Sequence, residues 1–185
     1  LMNLNAFTPE GRGIAQIFKV RIMHAAARYY ILKGNWDLNF GFPVNQEDMA
    51  GTNLSFSLIV IRGLRKMGFT ISYQEQMDYI QYWSYVGALL GVNENLLPKD
   101  GKTATKLDSE ITSRQFKTSE EGIELTKSLL NCFYSLNDEK QIKNKEIAGF
   151  MRFLLGQEVS DILNLPQSTF PISKQILLKL KTSVI

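Results

Sequence analysis

Helix-start and helix-stop signals recur along this chain at helical spacing, and that punctuation constrains the fold more than any other feature. Ser72-Tyr73-Gln74-Glu75 has the form of a capping box, in which a hydroxyl and a carboxylate satisfy N–H groups left free at a helix start. The helix it opens reaches Leu90 and stops at Gly91. Asn45 can cap an earlier helix, with Glu47 and Asp48 complementing its positive end. That helix continues over residues 52–67 and ends at Gly68. Thr8-Pro9 reads as a cap and first turn that Gly11 and Gly13 weaken. The firm first helix therefore begins near Arg12, passes through Ile17, Val20, His24, Arg28 and Ile31, and stops at Gly34. Residues 35–42 form a loop, and Pro43 confirms the break.

The second half continues in the same way. A helix is expected over residues 105–116, and Thr118-Ser119-Glu120-Glu121 reads as another capping box leading a helix to about Ser135. Residues 137–144 are polar and read as a loop. Residues 146–163 read as helix closed by Pro166 and Pro171, and residues 172–182 as a last short helix. The run Phe56-Ser57-Leu58-Ile59-Val60-Ile61 is β-prone by composition, but the cap before it and the glycine after it favour a buried helix. Strict polar–apolar alternation and internal repeats are absent. The expectation is an all-α fold, a single compact multi-helix domain of about six or seven helices over residues 1–185.

Composition excludes several functions. A 44% hydrophobic share supports a real core, and a formal charge of +3 without an Arg/Lys run among aromatics gives no nucleic-acid footprint. Cys132 is the only cysteine and His24 the only histidine, so an internal disulfide is impossible and a structural zinc site lacks ligands. This slightly favours the cytoplasm. Residues 54–61 and 176–180 are too short to span a bilayer, and Leu1-Met2-Asn3 lacks the order of a secretory signal. Met2 in second place leads us to expect a natural segment upstream of Leu1.

The first helix carries the most informative constellation. Arg21, His24 and Arg28 are spaced i, i+3, i+7 and share one face with Ile17, Val20, Ala27 and Ile31. Ala25, Ala26 and Ala27 leave room for something bulky to approach. Two readings of the pattern stand side by side. In one, His24 is a core residue and the arginines pair with acidic residues such as Glu75 or Asp78. In the other, an imidazole holds a haem iron and the guanidinium groups pair with its propionates.

The stretch Val20-Arg21-Ile22-Met23-His24-Ala25-Ala26-Ala27-Arg28 resembles the axial-histidine helix of the rubber oxygenase (latex-clearing) and mpaB-type oxygenase family. Gly41-Phe42-Pro43-Val44-Asn45-Gln46-Glu47-Asp48 is similar to that family's Gly-x-Pro-[Val/Ile]-Asn loop and acidic helix start. Glu75, Tyr79, Trp83, Gly87 and Gly91 resemble its next punctuated helix, with Leu97-Pro98 as the exit. Phe153-Leu154-Leu155-Gly156 and Leu163-Asn164-Leu165-Pro166 resemble its close. The resemblance covers about residues 11–170. It implies an all-helical fold, haem b, and oxygenase chemistry on an apolar, unsaturated, polyisoprenoid-like substrate. It makes His24 the axial iron ligand and sets Arg21 and Arg28 at matching positions, where we expect them to meet the propionates. The family's distal residues come from helices upstream of the axial-His helix. No residue before His24 matches them, so the expectation is a domain without that distal segment. The alternative is a non-catalytic structural or interaction protein of the same ancestry.

Other features have plainer readings. Tyr79, Tyr82, Trp83 and Val86 read as core or as the wall of an apolar channel. Gly87 and Gly91 allow either a close helix contact or room for a cofactor. Cys132 reads as a buried, inert thiol, and Lys174, Lys179 and Lys181 as a solvated basic face.

Overall fold

The structure, a computed structural model, describes residues 5–137 and 143–176. Among them every regular element is helical: α1 (Gly13–Lys33), α2 (Gln46–Phe56), α3 (Leu58–Met67), α4 (Tyr73–Leu90), α5 (Gly101–Gln115), α6 (Glu120–Leu136), α7 (Asn144–Leu155) and α8 (Gln157–Ile162). Two short 3-10 turns lie at Leu38–Phe40 and Glu94–Leu96, and residues 172–176 form a further helical turn. The rest of the helix expected over 172–182, with Lys179 and Lys181, lies outside the described residues, as does most of the loop expected over 137–144.

The punctuation explains most boundaries. Asn45 and Ser72 both form complete capping boxes, Asn45 with Asp48 and Ser72 with Glu75. Gly91 closes α4 in the left-handed conformation, at φ 91°. The β-prone run is helical, but not continuously. Ser57 departs from helical geometry, its hydroxyl donates to the Asn53 carbonyl at 3.0 Å, and the expected single helix becomes α2 and α3. Gly156, at φ 87°, likewise divides the helix expected over 146–163 into α7 and α8. These two breaks account for the eight numbered helices among the described residues, where about six or seven were expected. Two caps also differ. Thr8 donates to the Asn5 carbonyl in a turn and does not cap α1. Ser119, not Thr118, caps α6; the residue it meets is Gly122, which has no side chain to return the bond.

The chain divides into two compact units, Leu1–Ile61 with Ile71–Ile111, and Arg62–Thr70 with Thr112–Ile185. In the first, α4 is central and both α1 and α2 pack on it. One cluster joins Ala50, Leu54, Leu58, Ile61, Ile80, Val92, Ala104 and Ile111, and another joins Ile17, Trp83 and Val86. In the second, Leu130, Ala148 and Leu165 make a smaller core between α6, α7 and the segment after α8. Lys174 is part of that unit through an ion pair with Glu146, so it is not a freely solvated cation.

Candidate functional site

α1 packs through the face that carries His24. Ile17 is buried against Trp83 and Val86 of α4, and Val20, His24, Ala27, Arg28 and Ile31 follow on the same side, each half-buried. Arg21 is exposed at the edge of this face. The structure therefore brings Arg21, His24 and Arg28 to one side of one helix.

Each arginine is anchored on backbone. Arg21 donates through Nη1 to the Leu89 carbonyl at 3.1 Å, with its guanidinium lying against Gly91. Arg28 donates through Nη2 to the Val44 carbonyl at 2.6 Å and through Nε to the Pro43 carbonyl at 3.3 Å. Pairing with Glu75 or Asp78, one of the expectations above, does not occur. Glu75 accepts from Ser72, and Asp78 from Gln74. The Ser72 hydroxyl and N–H hold the Glu75 carboxyl below its ordinary range. Between the two anchored arginines, His24 keeps Nδ1 buried and without a hydrogen-bond partner.

The loop that Arg28 grips is built in detail. The Trp36 indole donates to the Gly41 carbonyl at 2.8 Å, and the Asn45 amide to the Phe42 carbonyl at 2.9 Å. Gly41 has φ 82°, where glycine is at ease, but Val44 has φ 53°, where a β-branched residue is strained. Gln46, the first residue of α2, ties this end to α4: its amide donates to the Gly91 carbonyl and accepts from the Asn93 N–H.

Behind the His24 face lies an aromatic wall. Trp83 is buried and Tyr79 half-buried, both packed in the cluster that includes Ile17, as their shared face led us to expect. Phe56 stacks on Trp83 with centroids 5.0 Å apart. Burial raises the Tyr82 hydroxyl above its usual range, with a smaller contribution from Tyr79. Asn53, which sequence reasoning passed over, is buried and donates to the Trp83 carbonyl at 2.7 Å. Its Oδ1 and the Trp83 indole N–H are buried without partners. No sequence signal sets Asn53 apart from the other polar residues of α2. Gly87 resolves the choice between a close contact and cofactor room: a Cβ there would lie 2.7 Å from Leu97 and 2.9 Å from the Asn53 amide, so neighbouring side chains fill the space.

The other sides of α1 are uncovered and, apart from Gln16, Lys19 and Lys33, largely apolar. Phe18, Ile22, Met23, Tyr29 and Tyr30 are exposed, and so are Ala25 and Ala26 beside His24. Cys132 is exposed as well, contrary to the buried thiol expected from its apolar neighbours, because Leu129 and Phe133 beside it are themselves exposed. Among the described residues no three His, Cys, Asp or Glu side chains converge, and no helix is long and apolar enough to cross a membrane.

An all-helical fold with a lone histidine on a packed helix, followed by a strained Gly-x-Pro-Val-Asn loop, defines a class. The chain belongs to the family described as ER-bound oxygenase mpaB/B'/Rubber oxygenase, catalytic domain, which it matches over residues 4–175. It is similar to the rubber oxygenase of Streptomyces sp. (strain K30), with 26% identity over 167 residues, covering 88% of this chain and 40% of that protein. Its fold is similar to that of latex clearing protein LCP in the closed state, with a TM-score of 0.83 and 24% identity, covering 99% of this chain and 51% of that one. The chain thus spans about half the length, or less, of these relatives.

Proposed function

We propose that this chain carries the axial-ligand side of a haem b oxygenase, with His24 as the iron ligand. The single observation that carries this reading is the state of His24 in a chain of this family. It is the only imidazole, it sits on the packed face of α1, and its buried Nδ1 has no partner. Residues and group fit. A ligating imidazole must have a ring nitrogen free for the metal, and the buried Nδ1 is committed to no protein partner. Ala27, half-buried on the same side of α1 as His24, adds little bulk there. Arg21 and Arg28 would meet the propionates with the N–H groups their carbonyl partners leave free. When bound, haem would supply the oxygen chemistry. The protein's part is to ligate, to orient the ring and to keep an apolar surface against an unsaturated, polyisoprenoid-like substrate.

The second reading is a non-catalytic helical protein of the same ancestry. The anchoring of both arginines on backbone carbonyls favours it, because those bonds are sufficient structural work for both residues.

The test is His24→Ala, compared with the unaltered chain under identical haem-replete expression. Alanine is a good helix former, so α1 should survive and helical circular dichroism should be unchanged. The Soret band of the unaltered protein should shift or vanish in the variant, since removing the imidazole removes the iron bond. An unchanged ligation spectrum would exclude His24 as ligand. Failure of the unaltered chain to take up haem at all would favour the second reading.

A further inference from the structure

We propose that Arg28 is a positioning residue: its two bonds to the Pro43 and Val44 carbonyls hold Val44 in the left-handed conformation and so fix the His24 face of α1 against the start of α2. The assignment rests on the reading of His24 above for its functional meaning, but not for its geometry.

The observation that needs explaining is Val44. A β-branched residue at φ 53° is an outlier that persists only where its surroundings impose it. In an extended chain successive carbonyls point to opposite sides. At Pro43 and Val44 both carbonyls instead reach one guanidinium, at 3.3 and 2.6 Å. The planar fork of arginine suits two acceptors at once, whereas a lysine ammonium is a point charge that cannot reproduce it. The residue after Val44 is Asn45, the N-cap of α2, so the placement of this loop sets where α2 begins. Arg28 lies four residues beyond His24 on the same side of α1. A bond from Arg28 to the loop is therefore a bond between the helix that carries the imidazole and the helix that backs the aromatic wall through Asn53.

The inference predicts a specific rescue. Glycine occupies the left-handed region freely, so Val44→Gly should remove the need for the clamp. Four forms of the full 185-residue chain are compared: unaltered, Arg28→Ala, Arg28→Lys, and Arg28→Ala with Val44→Gly. The first readout is the rate of limited proteolysis within residues 41–45. The second is the NMR signal of the imidazole ring, which is unambiguous because His24 is the only histidine. Both work without haem.

Arg28→Ala should raise the cleavage rate several-fold and shift the His24 ring resonances. Arg28→Lys should behave like Arg28→Ala. Adding Val44→Gly should return both readouts most of the way to the unaltered values. A full return with Arg28→Lys would mean that charge alone matters, and would overturn the clamp. So would a double variant that cleaves as fast as Arg28→Ala. Rescue of proteolysis with no change of the His24 resonances in any variant would overturn the positioning role. If Arg28→Ala does not fold, Arg28→Lys with and without Val44→Gly decides the matter by the same rescue. Loss of haem uptake in the unaltered chain would defeat the proposed function and leave these readouts standing.

Discussion

The two compact units share one kind of tie and differ in a second. In the first, the side chains that tie separate segments together end largely on carbonyl oxygens: Arg21 on Leu89, Arg28 on Pro43 and Val44, Asn53 on Trp83, and Ser84 on Pro98. The second has carbonyl ties of the same kind, Lys66 on Leu154 and Arg152 on Leu165, but adds ion pairs between segments, Arg152 with Asp161 at 2.7 Å and Lys174 with Glu146 at 2.5 Å, over a smaller apolar core. A carbonyl does not titrate, whereas a carboxylate does, and salt screens the attraction between its charge and a cation. The first unit should answer mainly to packing changes, and the second also to acid and salt.

The largest effect expected is in the first core. Leu54 is fully buried in α2, and Leu54→Ala should cost about 2–5 kcal/mol. Denaturant unfolding followed by fluorescence of the buried Trp83 reads it. A loss well under 1 kcal/mol would mean that the cavity collapses freely. Next comes Gly149 of α7, where a Cβ would sit 2.8 Å from the Thr169 backbone. Backbone cannot swing aside as a side chain can, so Gly149→Ala should cost about 1–3 kcal/mol in the second unit, read by denaturant unfolding followed by far-ultraviolet circular dichroism. A neutral result would show the segment after α8 to be loosely held.

Acid should separate the units more gently. The Arg152 guanidinium holds the Asp161 carboxyl below its ordinary range, and the Lys174 ammonium does the same for Glu146. Groups depressed on folding stabilise above their unfolded pKa, and the stabilisation is lost as pH falls through the folded pKa. Amides of α7 and α8 should therefore lose exchange protection as pH drops below the usual carboxylate range, and Asp161→Asn should remove part of that dependence. In the first unit, Glu75 and Asp100 are also depressed, by Ser72 and Thr103 respectively, but they serve local caps. There the expected response is fraying at the starts of α4 and α5. Equal acid sensitivity in both cores would erase the distinction. The smallest effect expected is a gain. Gly63 in α3 has nothing within 4 Å of a would-be Cβ, so Gly63→Ala should stabilise by up to about 1 kcal/mol, seen as a small rise in Tm.

Much of the helical order was legible because it is written locally. The cap at Asn45, the box at Ser72 and the glycine at 91 need only a few adjacent residues, and the structure keeps all three. The breaks at Ser57 and Gly156 were missed because one isolated serine or glycine within an apolar helical pattern carries too little local signal. At the site, the shared face of Arg21, His24 and Arg28 followed from spacing alone. Their partners did not, because Leu89, Pro43 and Val44 are engaged through backbone oxygens, which every residue possesses. The left-handed Val44 ran against its residue type and could not be expected from propensity. The expected burial of Cys132 failed for a related reason: apolar neighbours announce burial only if something covers them too.

The uncovered sides of α1 have a practical consequence for anyone handling this chain. Dyes that light up on apolar surface normally report the collapsed or partly unfolded state. Phe18, Ile22, Met23 and Tyr30 would already offer such a surface on the native helix, each more than half exposed. A dye-based melting curve would start bright and hide its own transition, and the same stickiness would draw the chain onto chromatography resins and detergent micelles. Ellipticity, or the intrinsic fluorescence of Trp83 inside the core, would register the loss of packing without that background.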